Sequence, residues 1–313
     1  MMPNTVAIQL RSAKPSVIIR LAKWFITKQT AIFPQSADEV AGFLTDRELP
    51  LDAPVPASFE RKFQVEHWQA AGQKIVTLHP KSGPGEWHML YFHGGGFVLP
   101  LAKEHWPMLG AMVERFRMSI SVPMYDLVPE STYSAQDAVA DEAFAKLASE
   151  HDPAKIILNG DSAGGHMALS LAMRQAANGG PKPGKLALFA PWLDATMQDE
   201  AMQAVEPHDI MLKIGAVATL GKLWAGDRDP KGPECSPLYA SDEALSQLPP
   251  TRIWTGQHDL FIIDSRSFTM KLCNAGVDAK LYEYAGAPHV FMLVTPSRES
   301  KDTLDLFGAF LAE

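Results

Sequence analysis

From about residue 60 onward, short apolar runs take turns with longer segments of helical period. The runs are FQVEHWQA (63–70), KIVTLHP (74–80), HMLYFHG (88–94), MSISVPMY (118–125), KIILNGD (155–161), KLALFAPW (185–192), TRIWTG (251–256) and AKLYEYAG (279–286). Ala71-Gly72-Gln73 between the first two signals a hairpin. The later runs are apolar throughout, as strands covered on both faces are. Between them 103–117, 134–150, 163–177 and 262–275 are long enough for crossover helices. Residues 298–312 close the chain, with Leu304, Phe307 and Phe310 roughly on one face. A hairpin followed by repeated βα units predicts an α/β fold, a mostly parallel eight-stranded sheet with helices on both faces.

Two stretches break this rhythm. Residues 1–55 precede the first strand, and 194–250 lie between the sixth and seventh. The second holds Met197, Met202, Met211 and Trp224 among prolines and acids, and a structureless loop of that length would be unusual, so it is expected to fold over the body. Within the first, Arg11, Lys14, Arg20, Lys23 and Lys28 come before any acid. Lys23 interrupts the apolar run, which argues against a secretory signal. Ile18, Leu21 and Phe25 recur at helical spacing and suit an amphipathic helix lying on the body, the alternative being a peripheral membrane helix.

A net charge of −8 argues against an extended nucleic-acid surface, and no segment reaches the roughly 20 apolar residues of a membrane span. Cys235 and Cys273 form no metal-ligand spacing, and a reducing, cytoplasmic setting is the simple reading.

Two glycine-rich stretches carry chemistry. Gly160-Asp161-Ser162-Ala163-Gly164 joins an apolar strand to a helical segment. On such a sharp turn the glycines remove Cβ atoms that would collide, and the serine hydroxyl stands clear at the carboxyl end of the sheet. The similar stretch around the nucleophile of trypsin-like proteases belongs to all-β barrels, with histidine and aspartate upstream, which the βα alternation here excludes. The second stretch is YFHGGGFVLP (91–100). Its glycines let backbone N–H groups approach a ligand, and an acyl-transfer site needs such donors at its oxyanion. Gly95, Gly96 and Ala163 are the expected donors, with Gly94 shaping the turn.

A serine becomes a nucleophile when a histidine takes its proton and an acid orients that histidine. On α/β-hydrolase topology the order is serine, acid, histidine. Four histidines follow Ser162. His166 belongs to the elbow helix, His208 to the insertion, and His258 directly neighbours an acid; His289, after the last strand, is the expected base. Asp259 is the expected acid, with Asp264 as rival in a capping position and Asp161 as a structural neighbour of the serine.

HGGGF, GDSAGG, YDLVPES (125–131), APWLD (190–194), SPLYA (236–240) and APHVF occur in an order that resembles the bacterial hormone-sensitive-lipase-like carboxylesterases, over roughly residues 60–313. Two positions depart from that family: Asp126 replaces the arginine of its YRLAPE stretch, and its two acids usually stand one residue closer than in DLFIID. The resemblance implies an α/β-hydrolase fold of residues 56–313, with residues 1–55 as a helical cap segment and a cap insertion at about 194–235. It implies short- to medium-chain acyl esters as substrates and needs no metal or organic cofactor. Phe97, Trp192 and Met211 are candidate pocket residues. Amidase or lactonase chemistry at the same triad stays open, as does a non-catalytic ligand-binding role, although relatives of that kind have lost the histidine. The open edge of the last strand could pair with a second copy in a homodimer.

Overall fold

The computed structural model describes residues 7–28, 32–46 and 53–313. All eight expected strands form, and a ninth precedes them: β1 (Ile8–Ser12). The hairpin strands β2 (Phe63–Ala70) and β3 (Gln73–Pro80) are antiparallel with Ala70 opposite Gln73. Their loop is therefore Ala71 and Gly72, both at positive φ (47° and 76°), as the twist of a two-residue hairpin requires. β3 runs antiparallel to β5 (Ser119–Met124). From there β4 (His88–Phe92), β6 (Ile156–Asp161), β7 (Lys185–Phe189), β8 (Thr251–His258) and β9 (Ala279–Pro288) are parallel, in the sheet order β1-β9-β8-β7-β6-β4-β5-β3-β2.

The ninth strand corrects the expected strand count of eight and sets a strand ahead of the helices α1 and α2 in the segment 1–55. It also removes the predicted edge. β1 pairs in parallel with β9, so among the described residues the outer strands are β1 and β2. A run of only five residues, IQLRS, carries little local signal; its pairing is set by the waiting edge of β9.

Helices follow at α1 (Val17–Lys28), α2 (Glu39–Asp46), α3 (Ala57–Lys62), α4 (His105–Phe116), α5 (Tyr133–Glu150) and α6 (Ala163–Ala177), then α7 (Met202–Val205), α8 (Ile214–Ala225), α9 (Asp242–Leu245), α10 (Ile262–Asn274) and α11 (Arg298–Ala312). Two buried apolar layers flank the sheet. α4 and α11 place Trp106, Leu109, Met112, Phe307 and Phe310 in one. α5, α6 and α10 place Phe144, Leu169, Phe268 and Leu272 in the other, which α2 and α8 extend through Val40, Leu220 and Trp224. Helices thus cover both faces, as the uninterrupted apolar strands demand.

The N-terminal helix forms where its period predicts, but it turns the other way. Ile18, Leu21 and Phe25 are 40%, 52% and 58% exposed, while Ile19 is buried. The inner stripe is held by Lys23, whose ammonium reaches His258 Nδ1 at 2.6 Å and the Gly286 carbonyl at 3.2 Å. Among the described residues no helix is long and apolar enough to cross a membrane.

Candidate active site

Ser162 occupies the turn between β6 and α6 at φ 53°, ψ −120°, backbone space that a side chain rarely adopts. Its neighbours over-determine that turn. A Cβ on Gly160 would lie 2.2 Å from the Gly164 carbonyl oxygen, and one on Gly164 would lie 2.0 Å from that of Phe92. The Ser162 N–H donates to the Phe189 carbonyl at 2.9 Å, and its own carbonyl accepts from Trp192 at 3.1 Å. Strain held this way by packed strands is typical of functional turns.

β9 ends one residue before His289, and β8 ends one before Asp259. Adjacent parallel strands therefore deliver both side chains to the sheet end that carries Ser162. His289 Nδ1 lies 3.0 Å from Asp259 Oδ2, and Nε2 lies 3.0 Å from Ser162 Oγ. With Nδ1–H given to the carboxylate, Nε2 is left to accept the serine proton. Asp259 is fully buried and accepts further bonds from the Phe261 N–H (2.9 Å) and the Thr255 hydroxyl (3.2 Å). Burial opposes charge on His289, but the carboxylate of Asp259, its hydrogen bond and the charges of Asp209 and Asp161 outweigh it. The imidazole pKa is therefore raised above the ordinary 6.5.

Asp161 holds the glycine loop. Its Oδ1 accepts the Gly94 N–H at 2.9 Å and the Tyr91 hydroxyl proton, and His105 Nε2 stands 3.4 Å away as an ion-pair contact. Burial works against its charge, yet the His105 charge and these bonds keep it below the usual carboxylate range. Gly94 is thereby committed to the turn. The N–H groups of Gly95, Gly96 and Ala163 have no acceptor among the described residues. Gly95, at φ 128°, lines the cavity with Ser162 and His289. A Cβ there would meet the Leu99 carbonyl oxygen at 2.4 Å.

The cavity holds about 320 Å³, the lower end of the range for small-molecule sites. Of the three candidate pocket residues, Met211 lines it and Phe97 and Trp192 do not. Phe97 is stacked on Trp224 (centroids 4.3 Å apart, planes at 7°) and on Trp192 (5.6 Å), and Trp192 continues onto Phe261 (6.0 Å). Four buried aromatic rings thus form a column behind the glycine loop, and proximity in sequence to a motif is no guide to which side of it a ring takes. Asp264, the rival acid, is also buried away from His289. Neither carboxyl oxygen has a partner among the described residues, so it caps nothing.

Sequence reasoning misses several walls of the cavity: Ile26 and Phe33 from the N-terminal segment, and Val290 and Leu293 after the histidine. The apolar run VFMLV beside His289 is the one available signal. It also misses Asp209, buried in the insertion, whose Oδ1 accepts the N–H groups of Met211 (2.8 Å) and Leu212 (2.9 Å).

A family model described as an alpha/beta hydrolase fold matches residues 89–293. The chain belongs to that family. This α/β hydrolase is 31% identical over 207 residues to an esterase of Acinetobacter venetianus, spanning 66% of this chain and 67% of that one. It is 30% identical over 198 residues to a triacylglycerol lipase of Mycobacterium tuberculosis, where it covers 62% of itself but only 39% of the lipase. The crystal structure of an esterase from the bacterial hormone-sensitive lipase family superposes with a TM-score of 0.80 at 26% identity, over 95% of this chain and 97% of that one. The protein is an α/β hydrolase of the esterase and lipase type.

Proposed function

We propose that this hydrolase cleaves short- to medium-chain carboxylic esters through a covalent acyl-enzyme on Ser162. The observation that carries the reading is the unbroken relay from Ser162 Oγ through His289 to Asp259, each link 3.0 Å. In the first half-reaction Ser162 Oγ attacks the ester carbonyl carbon as its proton passes to His289 Nε2. The carbonyl oxygen becomes an oxyanion facing the N–H groups of Gly95, Gly96 and Ala163. Collapse breaks the ester C–O bond, and the alcohol leaves with the proton from His289. Water then repeats the sequence on the acyl-serine, releasing the acid and restoring the hydroxyl. Asp259 accepts the Nδ1–H of His289 and steadies the imidazolium.

Chain length follows from cavity size and wall chemistry. An apolar space of about 320 Å³ suits a small acyl group, and its walls come from both segments outside the repeating βα frame, Ile26 and Phe33 from one and Met211 from the other. Those two segments, 1–55 and 194–235, are the cap in this reading. The two unpaired cysteines fit a reducing, cytoplasmic setting.

The test is hydrolysis of p-nitrophenyl acetate, butyrate, octanoate and laurate by wild type and Ser162→Ala. Turnover that is best at acetate or butyrate and is lost in the variant is expected. Substantial turnover by a clean Ser162→Ala preparation overturns the mechanism, and equal turnover of laurate overturns the chain-length reading.

A further inference from the structure

Ten large apolar side chains are well exposed among the described residues, and seven of them (Leu10, Val17, Ile18, Leu21, Trp24, Phe25 and Ile32) lie within one short N-terminal stretch. Exposed apolar residues scattered singly need no explanation, but a concentrated patch marks a surface that meets something. Five of these seven share the outer side of α1. Trp24 and Phe25 stand edge to face, their centroids 5.0 Å apart. The inner side of the same helix is occupied by Ile19 and by the Lys23 tether to His258 and Gly286. α1 is therefore seated, and its apolar face is turned outward.

The charge around this face is one-sided. Residues 1–37 carry five cations and no acid, on a chain whose net charge is −8. Arg11 is neutralised by Asp302 and Lys23 points inward. Lys14, Arg20 and Lys28 are exposed, and among the described residues none of them has a carboxylate partner. Aromatic and aliphatic side chains flanked by unpaired cations make up the composition of helices that lie in the headgroup region of anionic membranes. A second copy docked face to face would bring the same cations together, which disfavours that occupant. Continuity with the cavity points the same way. Ile26, on the flank of α1, and the exposed Ile32 both line the cavity that holds Ser162.

We propose that the outer face of α1 docks on an anionic phospholipid bilayer and brings the mouth of the Ser162 cavity to the lipid surface. Docking of this kind is peripheral: α1 spans 12 residues, too few to cross a bilayer. The inference does not depend on the ester-hydrolysis reading, since it concerns where the cavity sits and not what it cleaves.

The experiment is co-sedimentation of the full chain with vesicles of phosphatidylcholine alone and of phosphatidylcholine containing phosphatidylglycerol. Two variants accompany wild type: Leu21→Ser/Trp24→Ser/Phe25→Ser, which removes the apolar face, and Arg20→Glu/Lys28→Glu, which reverses the charge. Circular dichroism and p-nitrophenyl acetate turnover check each variant's fold. Wild type is expected to partition to the anionic vesicles at least about tenfold better than to the neutral ones. Both variants should lose about tenfold or more of that binding with spectra unchanged. Wild type that stays in the supernatant with anionic vesicles overturns the proposal. So does undiminished binding by a folded variant of either kind. A wild-type dimer in sedimentation velocity that the apolar variant converts to monomer assigns the face to a second copy instead, and that also overturns it.

Discussion

Asp209, in the insertion between β7 and β8, accepts the backbone N–H of Leu260 at 2.9 Å, and Leu260 is the residue after Asp259. One buried carboxylate therefore ties the insertion to the loop that carries Asp259, the carboxylate bonded to His289. Because Asp209 also accepts from Met211 and Leu212, the same side chain positions a wall of the cavity. Burial raises its pKa, and the neighbouring charge of Asp259 adds to the effect.

Replacing this carboxylate tests the link in two ways. Asp209→Ala leaves three N–H groups without their acceptor, a loss of about 1–3 kcal/mol in stability accompanied by lower kcat/KM. Asp209→Asn removes a negative charge that helps hold the His289 pKa up. The base must be neutral to work, so activity falls as pH drops through that pKa. With the charge gone the pKa drops, and the acidic limb of kcat/KM against pH is expected to move to lower pH. A pH–rate profile decides it, and an unmoved limb would falsify the electrostatic role.

Asp264 should make the fold lose stability on going alkaline. Burial, and then the charges of Asp194 and Asp199, push its pKa from the ordinary 3.8 to about 8. The folded state thus holds this proton more tightly than the unfolded chain. The resulting stabilisation is complete below the ordinary value and is lost as pH rises through about 8, a change of a few kcal/mol. Asp264→Asn cannot ionise, so the drop in Tm between pH 5 and pH 9 should be smaller than in wild type. Equal drops in both proteins would rule the effect out.

Gly164→Ala places a methyl group 2.0 Å from the Phe92 carbonyl oxygen. Backbone on the neighbouring strand must shift to admit it, at a cost of about 3 kcal/mol or more. The expected result is a protein that melts many degrees lower and has little turnover. Thermal melts and p-nitrophenyl butyrate assays on one preparation are enough to check this. Wild-type values in both would mean the elbow is looser than its contacts imply.

The aromatic column and the cavity wall are expected to separate cleanly under mutation. Phe97→Leu disturbs the stack between Trp192 and Trp224 and should cost about 1–3 kcal/mol in stability, with the ratio of octanoate to butyrate turnover unchanged. Met211→Ala enlarges the cavity and should raise that ratio by up to about tenfold with a smaller loss of Tm. If Phe97→Leu moves the ratio as far as Met211→Ala does, the ring belongs to the substrate after all.

Much of the candidate site was legible because its signals are local. Glycine at 160 and 164 reports that the backbone must pass where no Cβ fits, and strand-then-helix period around Ser162 reports the turn. The order of Ser162, Asp259 and His289 along a parallel sheet then brings the three to one end of it. The walls were not legible in the same way. Phe33 and Ile26 reach the cavity from a segment whose path no periodicity specifies, and Asp209 carries no pattern that distinguishes it from any other acid of the insertion.

The helical period of 17–28 shows the limit most plainly. An apolar stripe establishes that α1 exists and is amphipathic, since side chains three and four apart must share a side. Which side faces the body depends on contacts made across the chain. Lys23 reaching His258 and Gly286, and Ile19 finding a buried place, set the rotation and left Leu21, Trp24 and Phe25 outward. By itself the sequence determined the α/β frame, the elbow and the chain order of Ser162, Asp259 and His289, because those rest on backbone sterics and spacing within a segment. Only the tertiary structure decided the ninth strand, the walls of the cavity and the face of α1, because each is a choice among long-range partners that compete for the same surface.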